Sequence, residues 1–294
     1  PMKQVTAQYD VEASQIGPFT IARALPNAAV QFVGPVMLLD HLPPRDIAPG
    51  KVPDPDGSFA HPHRGIVTFT YVLEGALTHA DSSGGHGTIT AGGVQWMKSG
   101  NGIVHDEMIP AALRKQGGRL HSFQFWINLP ARNKAERAEY LAVQDRDLPV
   151  APLPGGLAHL KVLLGGYGGD AAPIPTFAEE FIWHVRVEPM GSARVASSPD
   201  LPVAGFFPRQ GAIVSGTQVA AQRSFVLGGE GTQIEIANPG AEPLDILLFG
   251  GAPIEVPVAM RGPFVMNTEA ELTEAFREFR AGRYDQITYR PETA

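Results

Sequence analysis

His61, Pro62 and His63 place two imidazoles one residue apart, and His105, Asp106 and Glu107 repeat the spacing with an imidazole and a carboxylate. In an extended strand alternate side chains leave the same face, so donors at i and i+2 stand about 7 Å apart on one side. Two such pairs on neighbouring strands can converge on one ion. The donors are three nitrogens and a carboxylate, with no thiolate, because the chain contains no cysteine. That set argues against a closed structural zinc site. It suits an open site for one divalent transition metal, with iron(II), manganese, nickel, copper and zinc all open on donor chemistry. A lone His-x-His is weak evidence, whereas two matching donor pairs in one β-rich stretch carry much more. We expect His61, His63, His105 and Glu107 to surround that metal. Glu107 has two candidate roles: ligand, or a general base that takes the proton of an arriving hydroxyl.

Strands have to position these residues, and the sequence supplies them. Glycine (33) and proline (27) punctuate short β-branched and aromatic segments along all 294 residues, the pattern of an all-β chain built as sandwiches or barrels. Ile66 to Leu73 reads as a strand running directly on from the first donor pair and ending in the turn Glu74-Gly75. Ile103 to Met108 resumes as strand after the Gly100-Asn101-Gly102 turn and carries the second pair. Leu120 to Leu129 is a third. Residues 131–140 read as a short helical connection and 145–156 as a Pro/Gly-rich linker, so we expect an N-terminal domain over 1–140 with the metal and a C-terminal domain over 141–294 without one. Further strands are predicted over 181–187, 224–227, 233–236 and 244–249. Thr268-Glu269-Ala270-Glu271 is a capping box opening a helix that shares Leu272, Phe276 and Phe279 on one face and ends at Gly282.

Imidazoles that bind a metal need an outer partner for the second ring nitrogen, and Gln95, Gln124, Asp106 and backbone carbonyls are candidates. Phe59, Trp96, Met97, Met37 and Phe125 are candidates for an apolar wall, each of them equally a core residue. His79 and His86 are expected in a Gly-rich loop over the cavity mouth. His41, His79, His86 and His121 lack a paired donor and are expected to be structural. Residues 150 to 294 hold only His159 and His184 and no donor pair.

Composition excludes other functions. A net charge of −7 with singly scattered Arg disfavours direct nucleic-acid binding, which needs clustered cations. No apolar run reaches the roughly 18 to 20 residues that span a bilayer, and no leader pattern opens the sequence. A cytoplasmic monomer is the expectation.

Gly75 and Gly102-Ile103-Val104-His105 resemble the glycine and G-x-x-H features of the cupin superfamily, although Thr68 stands where a glutamate is usual. The runs His61-Pro62-His63-Arg64-Gly65, Tyr71-Val72-Leu73-Glu74-Gly75, Gln95-Trp96-Met97, Gly102 to Met108, Gln124 to Pro130 and Gly262 to Thr268 resemble the pirin family of bicupins. Asp106, where a small residue is more usual, and Phe125, where Leu is common, depart from its pattern. The resemblance implies two jelly-roll-type antiparallel cupin barrels facing each other with a short C-terminal helix. It also implies a single metal, usually iron, held through His61, His63, His105 and Glu107 in the N-terminal barrel, and a degenerate C-terminal barrel. Some members are similar to quercetinases, metal-dependent dioxygenases that open a flavonol ring, which implies a flavonoid or other small aromatic substrate and dioxygen. Others are described as non-catalytic, redox-sensitive regulators, which implies a protein partner. Fold alone does not choose between them.

Overall fold

Burial with a period of two makes most of the architecture. In the strand Ser192–Ala196 only Ala193 and Val195 are buried, while in the central strand Ile66–Glu74 every residue through Val72 is buried. The first pattern belongs to a sheet with one wet face, the second to a strand covered on both. The computed structural model describes residues 1–17, 19–228 and 230–292. Its contacts gather the chain into two units: Pro1–His41 with Arg146–Pro253, and Leu42–Asp145 with the chain from Ile254 onward. Relative to a single division after residue 140, the mid-chain break falls at Asp145 and Arg146, and each end joins the unit built mainly from the other half. Pairing shows why at the first end: Gln4–Asp10 runs antiparallel to Arg223–Gly228.

The unit containing both donor pairs has a run of four antiparallel strands in the order Glu139–Val143, Val94–Lys98, Ile66–Glu74 and Gly118–Asn128. A second sheet is ordered His61–His63, Ile103–Met108, Ala76–Asp81 and His86–Thr90. The other unit repeats the scheme with a seven-stranded antiparallel sheet centred on Val203–Phe206, Leu244–Gly250 and Phe181–Val187, and a four-stranded one from Ser192–Ala196, Gln233–Ala237, Ala212–Val214 and Thr217–Val219. The all-β expectation holds. Among the described residues no helix is long and apolar enough to cross a membrane.

Two glycines let the donor strands turn where they do. Gly65, between His63 and the central strand, has φ 84°, and a Cβ there would lie 1.9 Å from the Val265 carbonyl oxygen. Gly102, just before Ile103–Met108, has φ 120°, and a Cβ would lie 2.2 Å from the Tyr284 ring. Both positions combine a left-handed backbone with no space, so only glycine fits.

The C-terminal helix Glu269–Arg280 starts as expected: the Thr268 hydroxyl oxygen accepts the Glu271 N–H at 3.2 Å and donates to the Glu271 carboxylate at 2.9 Å. Its buried residues are Leu272 and Ala275, with Phe276 packed alongside, while Phe279 is 39% exposed. Arg64 ties the helix to the donor strand by donating to Glu278 at 2.8 Å and to the Tyr284 hydroxyl at 3.1 Å. Residues 131–140 differ from the expected helical connection: a 3-10 helix covers Ala131–Ala135, then Glu139–Val143 pairs with Val94–Lys98. The Arg-rich start of the run forms the 3-10 helix, and the strand begins only at Glu139, where Tyr140, Leu141 and Val143 pair along Val94–Lys98. The expected linker likewise holds a strand, Val150–Pro152, and a short helix at Ala111–Gln116 was not anticipated.

Candidate metal centre

Strand pairing builds the site. His105 lies directly opposite His61, and Ile103 opposite His63, so the i, i+2 pair on one strand and its cross-strand neighbour form a triangle of imidazoles. Ring centroids are 4.9 Å apart for His61 and His63, 4.6 Å for His61 and His105, and 4.9 Å for His63 and His105. One nitrogen from each ring falls within 4.8 Å of the others, and the Nε2 atoms of His61 and His105 are 3.0 Å apart. Two ligands at right angles around an ion, each about 2.1 Å from it, are separated by about 3 Å. The trio therefore fits a metal.

Burial prepares these rings to bind it. His63 and His105 are almost fully buried, and His61 is the most exposed of the three. Burial, reinforced by the charge of His61 and opposed by the Pro263 carbonyl, pushes His63 down to about 3. His105 is held well below the usual histidine range by burial, then by His63, His61 and His79. Both rings are neutral at pH 7, the form that coordinates. The second nitrogens have backbone partners in two cases: His61 Nδ1 lies 2.7 Å from the Phe59 carbonyl and His63 Nδ1 3.2 Å from that of Pro263. His105 Nδ1 is buried with no partner among the described residues.

Glu107 is not part of the imidazole trio. Its Oε1 accepts from the Thr70 hydroxyl at 2.8 Å and from Gln95 Nε2 at 2.7 Å, and its Oε2 accepts from Gln124 Nε2 at 2.6 Å. Thr70 pairs directly with Gln95 on one side and Gln124 on the other, so one transverse row across three strands supplies all three donors. Tyr140 donates to Gln95 Oε1 at 3.1 Å and stacks on His79 with centroids 3.9 Å apart. Burial, then the charges of Glu107 and Asp81, raise the Tyr140 phenol, which keeps it a donor. Lys134 Nζ donates to the Gly65 carbonyl at 2.8 Å, Asn128 at 2.6 Å and the Val265 carbonyl at 2.9 Å, tying the backbone after His63 to the strand Phe264–Met266, while burial pushes its amine down to about 7.

Gln95 and Gln124 are thus partners of Glu107, not of a histidine. Asp106 points elsewhere too: its Oδ2 accepts from the Tyr289 hydroxyl at 2.8 Å and its Oδ1 is buried with no partner among the described residues. Of the expected apolar wall, Met97 pairs with Thr68, two residues from Thr70, and shares the Glu107 side. Trp96 and Phe125 flank Phe69 on the opposite face and are core. Phe59 contributes its carbonyl while its residue is 54% exposed, and Met37 belongs to the other unit. His79 and His86 are in paired strands and not in a loop over the mouth, and His79 is buried with Asp81 2.7 Å from its Nε2. His41 and His121 are buried outside the trio. Sequence reasoning passed over Thr70 and Trp126. Trp126, which stands edge-on to His63 at 5.2 Å with a buried, unpartnered Nε1, is two residues from Gln124 and on its face, so strand alternation could have found it.

Comparison with known proteins adds the family. The Pirin family model matches residues 18–127, and that of the Pirin C-terminal cupin domain matches residues 182–285. A pirin-like protein of Solanum lycopersicum is 34% identical over 90% of this chain and 86% of its own length. A Pseudomonas aeruginosa protein, provisionally named a quercetin 2,3-dioxygenase, is 31% identical over 88% of this chain and 89% of its own. The crystal structure of a quercetin 2,3-dioxygenase from Acinetobacter baumannii superposes with a TM-score of 0.90 at 29% identity, covering 98% of this chain and all of that one. A bacterial pirin from Escherichia coli, solved with nickel(II), shares the fold at a TM-score of 0.61 and 16% identity.

Proposed function

This chain belongs to the pirin family, and from that premise we propose that it is a metal-dependent dioxygenase of the quercetin 2,3-dioxygenase type. The observation that carries the reading is the trio His61, His63 and His105, mutually within reach, with His63 and His105 buried and neutral and Glu107 on the same strand as His105. His61, His63 and His105 hold the ion, iron(II) as the first assignment, and Glu107 serves as a fourth donor or as a base. The bound metal supplies Lewis acidity toward the enolate oxygen of a flavonol and electron transfer with dioxygen.

The remaining chemistry falls to side chains. Thr70, Gln95 and Gln124 hold the Glu107 carboxylate by three hydrogen bonds. As a base, Glu107 accepts the proton of the flavonol hydroxyl. Trp126 and Met97 lie on the same side as Glu107 and offer an aromatic face and a soft thioether to a flat substrate. Overall, flavonol and dioxygen give a ring-opened ester acid and carbon monoxide.

Protein reconstituted anaerobically with iron(II), then given quercetin and dioxygen, should consume one dioxygen and release one carbon monoxide per quercetin. Full metal occupancy with no turnover across a panel of flavonols would overturn the enzymatic assignment and leave a non-catalytic metal protein.

A further inference from the structure

Gly85 and Gly87 clear a slot beside the candidate metal centre. Neither has a left-handed φ, so backbone conformation does not ask for glycine at either position. Space does. A Cβ on Gly87 would lie 2.9 Å from the Tyr140 hydroxyl oxygen, and one on Gly85 would lie 3.0 Å from the Tyr140 Cβ and 2.0 Å from Asp81 Oδ2. The slot holds the Tyr140 ring flat against His79, with planes 3° from parallel. His79 is fixed in turn: its Nε2 lies 2.7 Å from Asp81 Oδ2, while Asp81 Oδ1 accepts the N–H groups of Ser83 at 2.8 Å and Gly85 at 2.9 Å. His79 and Asp81 stand directly opposite Glu107 and His105, so the clamp shares the face of the imidazole trio.

What the clamp aims is a hydroxyl. Tyr140 faces Met97 across the strand pair and reaches diagonally to Gln95, which pairs with Ala142. Gln95 thereby has both ends of its amide held, Oε1 by the Tyr140 O–H and Nε2 by Glu107. The last torsion of a glutamine is broad, so a single bond leaves the amide free to rock, whereas two bonds at opposite ends stop it. Gln95 is 3% exposed, which keeps bulk water from replacing either bond. Filling the slot does not account for the hydroxyl, because phenylalanine would pack against His79 with the same ring.

We propose that Tyr140 is a positioning residue for Glu107: clamped against His79, its hydroxyl holds Gln95 in the one amide orientation that presents an N–H to the carboxylate. The effect on turnover rests on the dioxygenase reading above; the hold on Glu107 does not.

The test uses full-length, metal-free protein, isotope-labelled at the glutamate carboxyl carbons and read by carbon NMR. The Glu107 signal is the one missing from Glu107→Gln. Tyr140→Phe, which keeps the ring and its stack, should shift that signal. Gly87→Ala, whose methyl displaces the hydroxyl without touching Gln95 or Glu107, should shift it too, and decides alone if Tyr140→Phe does not fold. In a Gln95→Ala background, adding Tyr140→Phe should leave the signal where it is, because the link is already cut. In iron-loaded protein, Tyr140→Phe should keep the wild-type metal content and lower kcat about threefold to thirtyfold, with KM within about twofold. An unmoved Glu107 signal in Tyr140→Phe would overturn the proposal, and so would an equal shift with Gln95 already removed, which would mark a general disturbance of the slot. Shifts as expected in a protein that turns over no flavonol would support the hold on Glu107 and remove the dioxygenase reading.

Discussion

Glu107 takes hydrogen bonds from three residues on three strands, an unusual investment for a carboxylate with only structural duties. On the reading advanced above, Glu107→Gln should lower turnover by about 10²- to 10⁴-fold, the range for a lost general base. Metal content should stay near that of the wild type, because the imidazole trio is intact; a loss of the ion together with activity would show Glu107 to be a ligand. The trio also sets an acid limit. His63 and His105 have depressed values in the folded chain and about 6.5 in the unfolded one, so below pH 6.5 the unfolded state binds more protons. Stability contributed by His63 is complete above pH 6.5 and is lost as pH falls toward about 3, by up to about 1.4 kcal/mol per pH unit. Urea unfolding of metal-free protein between pH 7 and pH 4 should show this slope, and His63→Gln should reduce it. A slope unchanged by His63→Gln would refute the cause given.

At the level of the element, the row Gln95, Thr70, Gln124 is a consequence of register: a slip of one residue would present Trp96, Phe69 and Phe125 to Glu107 instead. The sequence made the donor strands legible, because β-branched runs and Gly turns bracket His63 and His105 and because two residues with one between them must share a face. It did not reveal that Gln95 and Gln124 serve Glu107, since cross-strand register is not written in either strand alone. The strand Glu139–Val143 was hidden for a related reason: it follows directly on an Arg-rich run that reads as helix, and its pairing with Val94–Lys98 is not written in its own residues. Lys134 was equally illegible, since its three acceptors lie at positions 65, 128 and 265. Lys134→Met should destabilise the fold by about 3 kcal/mol in chemical denaturation, because buried acceptors lose their donor without water to replace it. Gly65→Ala should cost at least as much, as backbone and not a flexible side chain blocks the added methyl.

Across the whole molecule, the unit that holds the imidazole trio is not a continuous stretch of chain. The Pro263 carbonyl faces His63, the Val265 carbonyl faces Lys134, and the helix Glu269–Arg280 packs by Leu272 and Ala275 into a cluster with Phe264, Met266 and Tyr284. A chain ending at Pro253 retains every histidine of the trio yet loses this cover. It should bind less than a tenth of the metal of the full chain under matched loading, measured by elemental analysis after gel filtration; full occupancy would show that residues after 253 are dispensable to the site. The same discontinuity has a meaning for biosynthesis. His105 leaves the ribosome roughly 160 residues ahead of Pro263, which at about 5–20 residues per second is on the order of 10 s or more. Through that interval the nascent donor strands lack the Pro263 carbonyl and the C-terminal cover, so on the reading advanced above the site is completed only late in synthesis.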